Sequence, residues 1–294
     1  MDLTTQVLRD GLVFGSVLAL VACSFNIIHR PTNVLNFAQG DFVMVGAMLA
    51  AVTMTVMGLP WLVGLALVLL GCAATALVEE RVAVTPVLRR SMTSVSWVIT
   101  TLAFSIIVEN IIAKAWGPNP RTVPVPPGLS QDATDIGGAL VSSYDVFVVV
   151  VAALILVGLE LLDRTPLGSA LSAVAEDREI AMLRGINPVR LTQRSFLLSG
   201  AIAGLAGVLV APLVLANTSL AVQFLLPGFA AAAIGGLGSN RGALIGGYTI
   251  GLVQAAAAAQ FAVAYQSAAV FVVLLGVLLL RPQGIFAPKA VRHV

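Results

Sequence analysis

Apolar runs long enough to cross a bilayer recur along this chain, at residues 11–28, 39–57, 60–78, 95–113, 145–162, 196–216, 243–262 and 266–280. A helix needs about 20 such residues to span the hydrocarbon core. Hydrophobic residues fill 59% of the 294 positions and mean hydropathy is +1.00, more apolar surface than a soluble fold can hide. The reading is an all-α polytopic membrane protein of about eight or nine transmembrane helices, forming one transmembrane domain over residues 1–294. Residues 225–240 (LLPGFAAAAIGGLGSN) are too short and glycine-rich for an ordinary span. They read as a short or broken helix, tolerated where protein or water covers the backbone. Broken helices of this kind occur in inverted-repeat architectures, and such a repeat is an open expectation here.

Charge asymmetry sets the orientation. Arg81, Arg89 and Arg90 mark the stretch after the third run as cytoplasmic, and Arg281, Lys289 and Arg292 do the same for the C-terminus. Residues 115–144 carry a single basic residue, Arg121, in a Pro-rich segment from Pro118 that reads as external. Counting back places the N-terminus outside, and the parity favours a crossing by 225–240, with a re-entrant segment as the alternative. Leu20-Val21-Ala22-Cys23 imitates a lipoprotein cleavage site, but Asp2 and Asp10 remove the leader's positive charge and the apolar run continues to Ile28. The first span therefore reads as retained. Cys23 and Cys72 both fall in apolar runs and read as buried thiols. A net charge of +2 leaves no nucleic-acid footprint.

One stretch breaks the apolar pattern. Nine of the thirty-two residues at 163–194 are Asp, Glu or Arg, against 10% charged residues overall. Thr165-Pro166 gives an N-cap and a proline at the first helical position. Leu167, Leu171, Val174 and Ala175 then recur on one face, a short apolar stripe open to a partner. Asp177 caps a second short helix, with Glu179 in its first turn, and Gly185 ends it. Asn187-Pro188 starts a third, which leads into the next span. A compact helix–turn–helix in water suits docking of a soluble partner; the plainer alternative is a loop folded back on its own membrane face.

Few residues offer chemistry. Asp41 sits at the mouth of the second run beside Asn36 and Gln39, and four-residue spacing pairs Asn36 with Gly40 and Phe37 with Asp41. A carboxylate near the membrane marks a functional site or a satisfied boundary charge. For Asp41 the boundary reading is a helix cap or a pair with Arg30. Glu109 either lines a route or snorkels beside Lys114. Gly238, Gly242 and Gly246 form a small-residue ladder that reads as helix packing. No G-x-x-x-x-G-K-[ST] is present, so the chain does not hydrolyse ATP through a P-loop. Neither H-E-x-x-H nor G-x-S-x-G occurs, which leaves a metal or Ser–His enzyme without support. An ion-coupled secondary transporter stays open as the alternative, with Asp41 and Glu109 as its only plausible relays.

Asn36-Phe37-Ala38-Gln39-Gly40-Asp41-Phe42 resembles the N-F-A-(H/Q)-G-(E/D) signature of the branched-chain amino-acid ABC transporter permeases, nearest the LivH branch. Ala175-Glu176-Asp177, Ala181 and Gly185-Ile186-Asn187 are similar to that family's coupling region. Phe229–Ala232, Gly235–Ser239 and Gly242–Gly247 resemble its late glycine-rich segment, and Arg281-Pro282-Gln283-Gly284-Ile285 its C-terminal ending. The Pro-rich segment, Pro118 to Asp135, has no match in that pattern. The resemblance implies a multi-pass permease of the bacterial inner membrane that translocates a small amino-acid-like solute by alternating access. It implies a second, related permease, two cytoplasmic ATPases that hydrolyse the ATP, and an external solute-binding protein. Asn36, Phe37, Gln39, Asp41 and Glu109 are then candidates for the substrate path. Leu171, Ala175, Glu176, Asp177, Arg178, Ala181 and Gly185 are candidates for ATPase coupling, with no cofactor or metal held by this chain.

Overall fold

The computed structural model describes residues 3–90, 96–117, 119–281 and 284–286. Pro118, Pro282, Gln283, Lys289 and Arg292, which figure in the sequence reading, lie outside the described residues. The described residues are mostly helical: α1 (Leu3–Thr32), α2 (Gln39–Ala50, continued by a wide turn, Ala51–Val56), α3 (Trp61–Glu79), α4 (Thr85–Arg90) and α5 (Ser96–Trp116) form the first half. Then follow α6 (Ser143–Asp163), α7 (Pro166–Glu176), α8 (Arg178–Leu183), α9 (Pro188–Val214), α10 (Leu220–Gly235), α11 (Asn240–Gln260) and α12 (Gln266–Leu280). The segment read as external contains the only named strands among the described residues, a hairpin pairing Ala133–Ile136 with Ala139–Ser142.

Two faces organise the molecule. At the N-terminal face, Arg9 of α1 pairs with Asp145, whose carboxylate also closes a capping box with Ser142 at the start of α6. At the insert face, Arg30 of α1 pairs with Asp163 at the end of α6. Among the described residues, eight helical stretches are long and apolar enough to span, and α10 is a shorter apolar helix. It ends at the turn that Arg30 of α1 holds through the Gly238 carbonyl. Its bounds differ from the expected 225–240: the helix starts five residues earlier, and Gly236, at φ +97°, ends it. Sixteen residues rise about 24 Å, less than the roughly 30 Å hydrocarbon core.

The inverted repeat is present in the packing. α1 packs on α11 and α10, and α9 packs on α3 and α2; α1 meets α9, and α2 meets α10. The mapping α1–α2–α3–α5 onto α9–α10–α11–α12 reverses the direction of every helix. Both long helices end in the same way, each on a residue at positive φ followed by an extended return: Asn33 (φ +55°) after α1 and Leu215 (φ +67°) after α9. Asparagine tolerates that conformation; leucine does so at a cost, held by the reciprocal backbone pairing of Ala216 with Arg121.

Burial separates core from rim. The apolar windows of α1, α2 and α9 are mostly enclosed by protein, whereas those of α3, α5, α6 and α12 are mostly exposed. The outer helices present Leu62, Leu70, Ile99, Ile106, Leu154 and Leu279 outward, apolar surface that only lipid or another apolar protein covers. Glycine lets the core helices touch. A Cβ at Gly46 would lie 2.3 Å from the Gly204 carbonyl oxygen, and one at Gly40 2.0 Å from that of Ala221, where the starts of α2 and α10 meet. Gly242 and Gly246 of the expected ladder do pack, against Gly235 and Ala231 of α10. Gly238 does not belong to it: it sits in the α10–α11 turn at φ +86°.

Candidate functional site

The segment between α1 and α2 and the first turn of α2 bring buried Asn36, Gln39 and Asp41 together. Asn33 terminates α1 by turning left-handed, so residues 33–38 run without helical structure and α2 begins only at Gln39. The four-residue spacing expected to align Asn36 with Gly40 therefore does not describe this segment. What aligns the polar groups is the turn itself, in which the Asn36 side-chain carbonyl accepts from the Ala38 N–H at 2.8 Å.

From there a network crosses four helices. Asn36 Nδ2 donates to Glu79 Oε2 of α3 at 2.8 Å. Gln39 Nε2 donates to Ser24 Oγ of α1 at 2.6 Å and to Ser199 Oγ of α9 at 2.9 Å, and Ser199 donates onward to the Ser24 carbonyl. Phe37 stacks on Trp97 of α5, with ring centroids 6.3 Å apart. Asp41 lies buried in the first turn of α2. Asn36, Gln39 and Asp41 thus come together with Glu79, while Glu109 stands at the edge, half-buried. Glu79 Oε1 and Asp41 Oδ1 are buried without a partner. Unsatisfied carboxylate oxygens in an apolar interior are costly and mark a site rather than filler. Among the described residues, no three His, Cys, Asp or Glu side chains are placed to share a metal ion.

Glu79, Ser24 and Ser199 were missed by sequence reasoning. The signal for Glu79 was present: Glu79-Glu80 follows directly on an apolar run ending at residue 78. It reads as the boundary of a span, but the helix continues past it and buries both carboxylates.

Arg30 does not reach Asp41. It holds Asp163 through two hydrogen bonds, of 2.5 and 3.2 Å, and donates through Nε to the Gly238 carbonyl at 2.6 Å. Asn240 donates to the same Asp163 carboxylate at 2.9 Å. Asn26 completes the clamp by accepting from Gly238 N–H and donating to the Ser239 carbonyl. The α10–α11 turn, the end of α1 and the root of the insert are therefore one hydrogen-bonded unit.

The insert follows its capping signals closely. Asp177 accepts from the N–H groups of Glu179 and Ile180, Asn187 accepts from those of Val189 and Arg190, and Gly185 takes φ +83°. Thr165 precedes α7, but its hydroxyl turns back to the Leu162 carbonyl instead of capping. The expected apolar stripe is not open to a partner. Leu171 and Val174 pack with Ala181 and Leu191 into a small core of the insert's own. Ala175, Glu176, Asp177 and Gly185 are exposed, and Arg178 is half-buried. The apolar surface left outward belongs to α8, with Ile180 and Met182 half exposed and Leu183 88% exposed.

Residues 7–280 match the family model described as branched-chain amino acid transport system, permease component. The chain belongs to this permease family. Among its relatives are the high-affinity branched-chain amino acid transport permease BraD of Pseudomonas aeruginosa, 29% identical over 98% of this chain and 97% of that protein, and LivH of Escherichia coli, with the same three figures. A probable LivH of Methanocaldococcus jannaschii is 28% identical over 95% of this chain and 91% of its own. The permease is thus a multi-pass membrane transport subunit.

Proposed function

We propose that this permease is the translocating subunit of an ATP-driven importer for a small amino-acid-like solute, the branched-chain amino acids first. Full-length similarity to permeases named for that transport supports the solute class. The observation that carries the coupling is the α8 edge, an apolar surface on a well-capped insert whose own core is already complete. Two cytoplasmic ATPases dock there and hydrolyse the ATP. The insert face is then cytoplasmic, in accord with Arg164, Arg184, Arg190 and Arg194, and the N-terminal face is external, in a bacterial inner membrane. A second, homologous permease completes the path, and a solute-binding protein docks outside.

Leu183 and Ile180 seat in the ATPase surface, and Ala175, Glu176 and Gly185 rim the contact. Asp177, Leu171 and Ala181 support the contact from behind by capping and packing the insert. Motion of the insert passes through Asp163 and Arg30 to the α10–α11 turn, tilting α10 against α2, where Asn36, Phe37, Gln39 and Asp41 border the path. Leu183→Asp keeps the exposed site soluble but removes the docking contact. Affinity purification of the tagged complex is expected to recover ATPase subunits with the wild type and to lose most of them with Leu183→Asp. Equal recovery from both would remove α8 from the coupling interface.

A further inference from the structure

A cavity of about 470 Å³ opens on the N-terminal face between α1, α10, α11 and α12. That volume lies in the range of small-molecule sites, about 300–1,000 Å³. Gln223, Gln254 and Gln266 line it from three different helices, Asp10 from a fourth, and Phe14 and Phe224 supply apolar wall. Among the described residues the Gln254 and Gln266 side chains make no hydrogen bond, although both residues are partly buried. Their amides are donors without a partner inside a cavity.

The charges beside them do not balance. Arg9 pairs with both Asp10 and Asp145, so one cation meets two carboxylates and the cluster carries +1 − 2 = −1. Asp145 keeps one buried oxygen without a partner. A second cavity, of about 280 Å³, joins this cluster to the first through Asp10 and Phe14. The wall thus offers one unmatched negative charge, free amide donors, and aromatic surface. α10 is the floor: Gln223 and Phe224 face this vestibule, while Leu225, Leu226 and Phe229 line a separate apolar pocket with Phe25 and Phe37.

We infer that this vestibule is a binding site for a zwitterionic amino acid with an aliphatic side chain. Asp10, on the negative cluster, takes the α-ammonium; Gln254 and Gln266 donate to the α-carboxylate; Phe14 and Phe224 pack the side chain above α10. The inference rests on the proposed function for its solute and for the external position of this face.

The test uses the assembled transporter carrying Ser267→Cys, at a lining position with no assigned ligand contact, labelled with a membrane-impermeant maleimide in intact spheroplasts and in inside-out vesicles. Cys23 and Cys72 are buried and stay silent. Labelling is expected from outside only. L-leucine at about ten times its dissociation constant slows it about tenfold by mass action. Isoamylamine, which lacks the carboxylate, and isocaproate, which lacks the ammonium, leave the rate unchanged. Asp10→Asn abolishes the protection and Asp10→Glu retains it. Outside labelling that leucine does not slow overturns the vestibule site and leaves the importer reading standing. Labelling confined to inside-out vesicles overturns the orientation, and the site with it.

Discussion

Valine in place of Gly46 is expected to cut the yield of folded permease several-fold. A Cβ there would lie 2.3 Å from the Gly204 carbonyl oxygen and 2.6 Å from its Cα, so the obstacle is backbone and no rotamer change relieves it. Gly207 meets the Val43 carbonyl in the same interface. α2 and α9 would have to separate, at an overpacking cost of about 3 kcal/mol or more, against a typical folding margin of about 5–15 kcal/mol. Gly276→Ala is the control: nothing stands within 4 Å of its Cβ, and a helical Gly→Ala exchange stabilises by about 0.5–1 kcal/mol. Size-exclusion profiles and melting in mild detergent compare the two. A Gly46→Val protein that melts with Gly276→Ala would contradict the close approach of α2 and α9.

Asp163→Ala is expected to be the most damaging single change at the insert face. It strips Arg30 of its carboxylate, releases Asn240, and leaves a half-buried guanidinium bonded only to the Gly238 carbonyl. Removing one partner of a buried pair costs about 3–5 kcal/mol, whereas replacing both with apolar groups of similar volume is often neutral. The partial exposure of this pair places the single-variant cost at the lower end of that range. The double variant Arg30→Met, Asp163→Leu should therefore melt above Asp163→Ala while still failing to transport, because the clamp on the α10–α11 turn is gone. Recovery of transport along with stability in the double variant would show that the pair holds the fold without conveying motion.

The long helices were legible because span length and hydropathy are properties of consecutive residues. So were Asp177, Gly185 and Asn187-Pro188, whose capping geometry is local. What escaped depends on contacts between distant segments. Arg30 had Asp41 eleven residues away as a candidate partner, yet the fold delivers Asp163 from the far end of α6. Asn36 with Gly40, and Phe37 with Asp41, looked like helical pairs because nothing in a short polar stretch announces that Asn33 turns left-handed. Glu79 passed as a boundary charge, since a run of apolar residues gives no sign of where its helix stops. Leu171 and Ala181 seemed available for docking, although an insert this small consumes its own stripe to fold. The vestibule has no sequence signature at all: its three glutamines lie on α10, α11 and α12.

The central claim is that ATP hydrolysed by partners at the insert face drives solute through this chain. The direct measurement is radiolabelled leucine accumulation in proteoliposomes containing the complete assembly and its binding protein, with ATP supplied on the insert side. Accumulation should require ATP and persist when ionophores dissipate every ion gradient. Uptake indifferent to ATP and abolished by ionophores would contradict the account and make this permease an ion-coupled carrier, with Asp41 and Glu79 as its first relays to test.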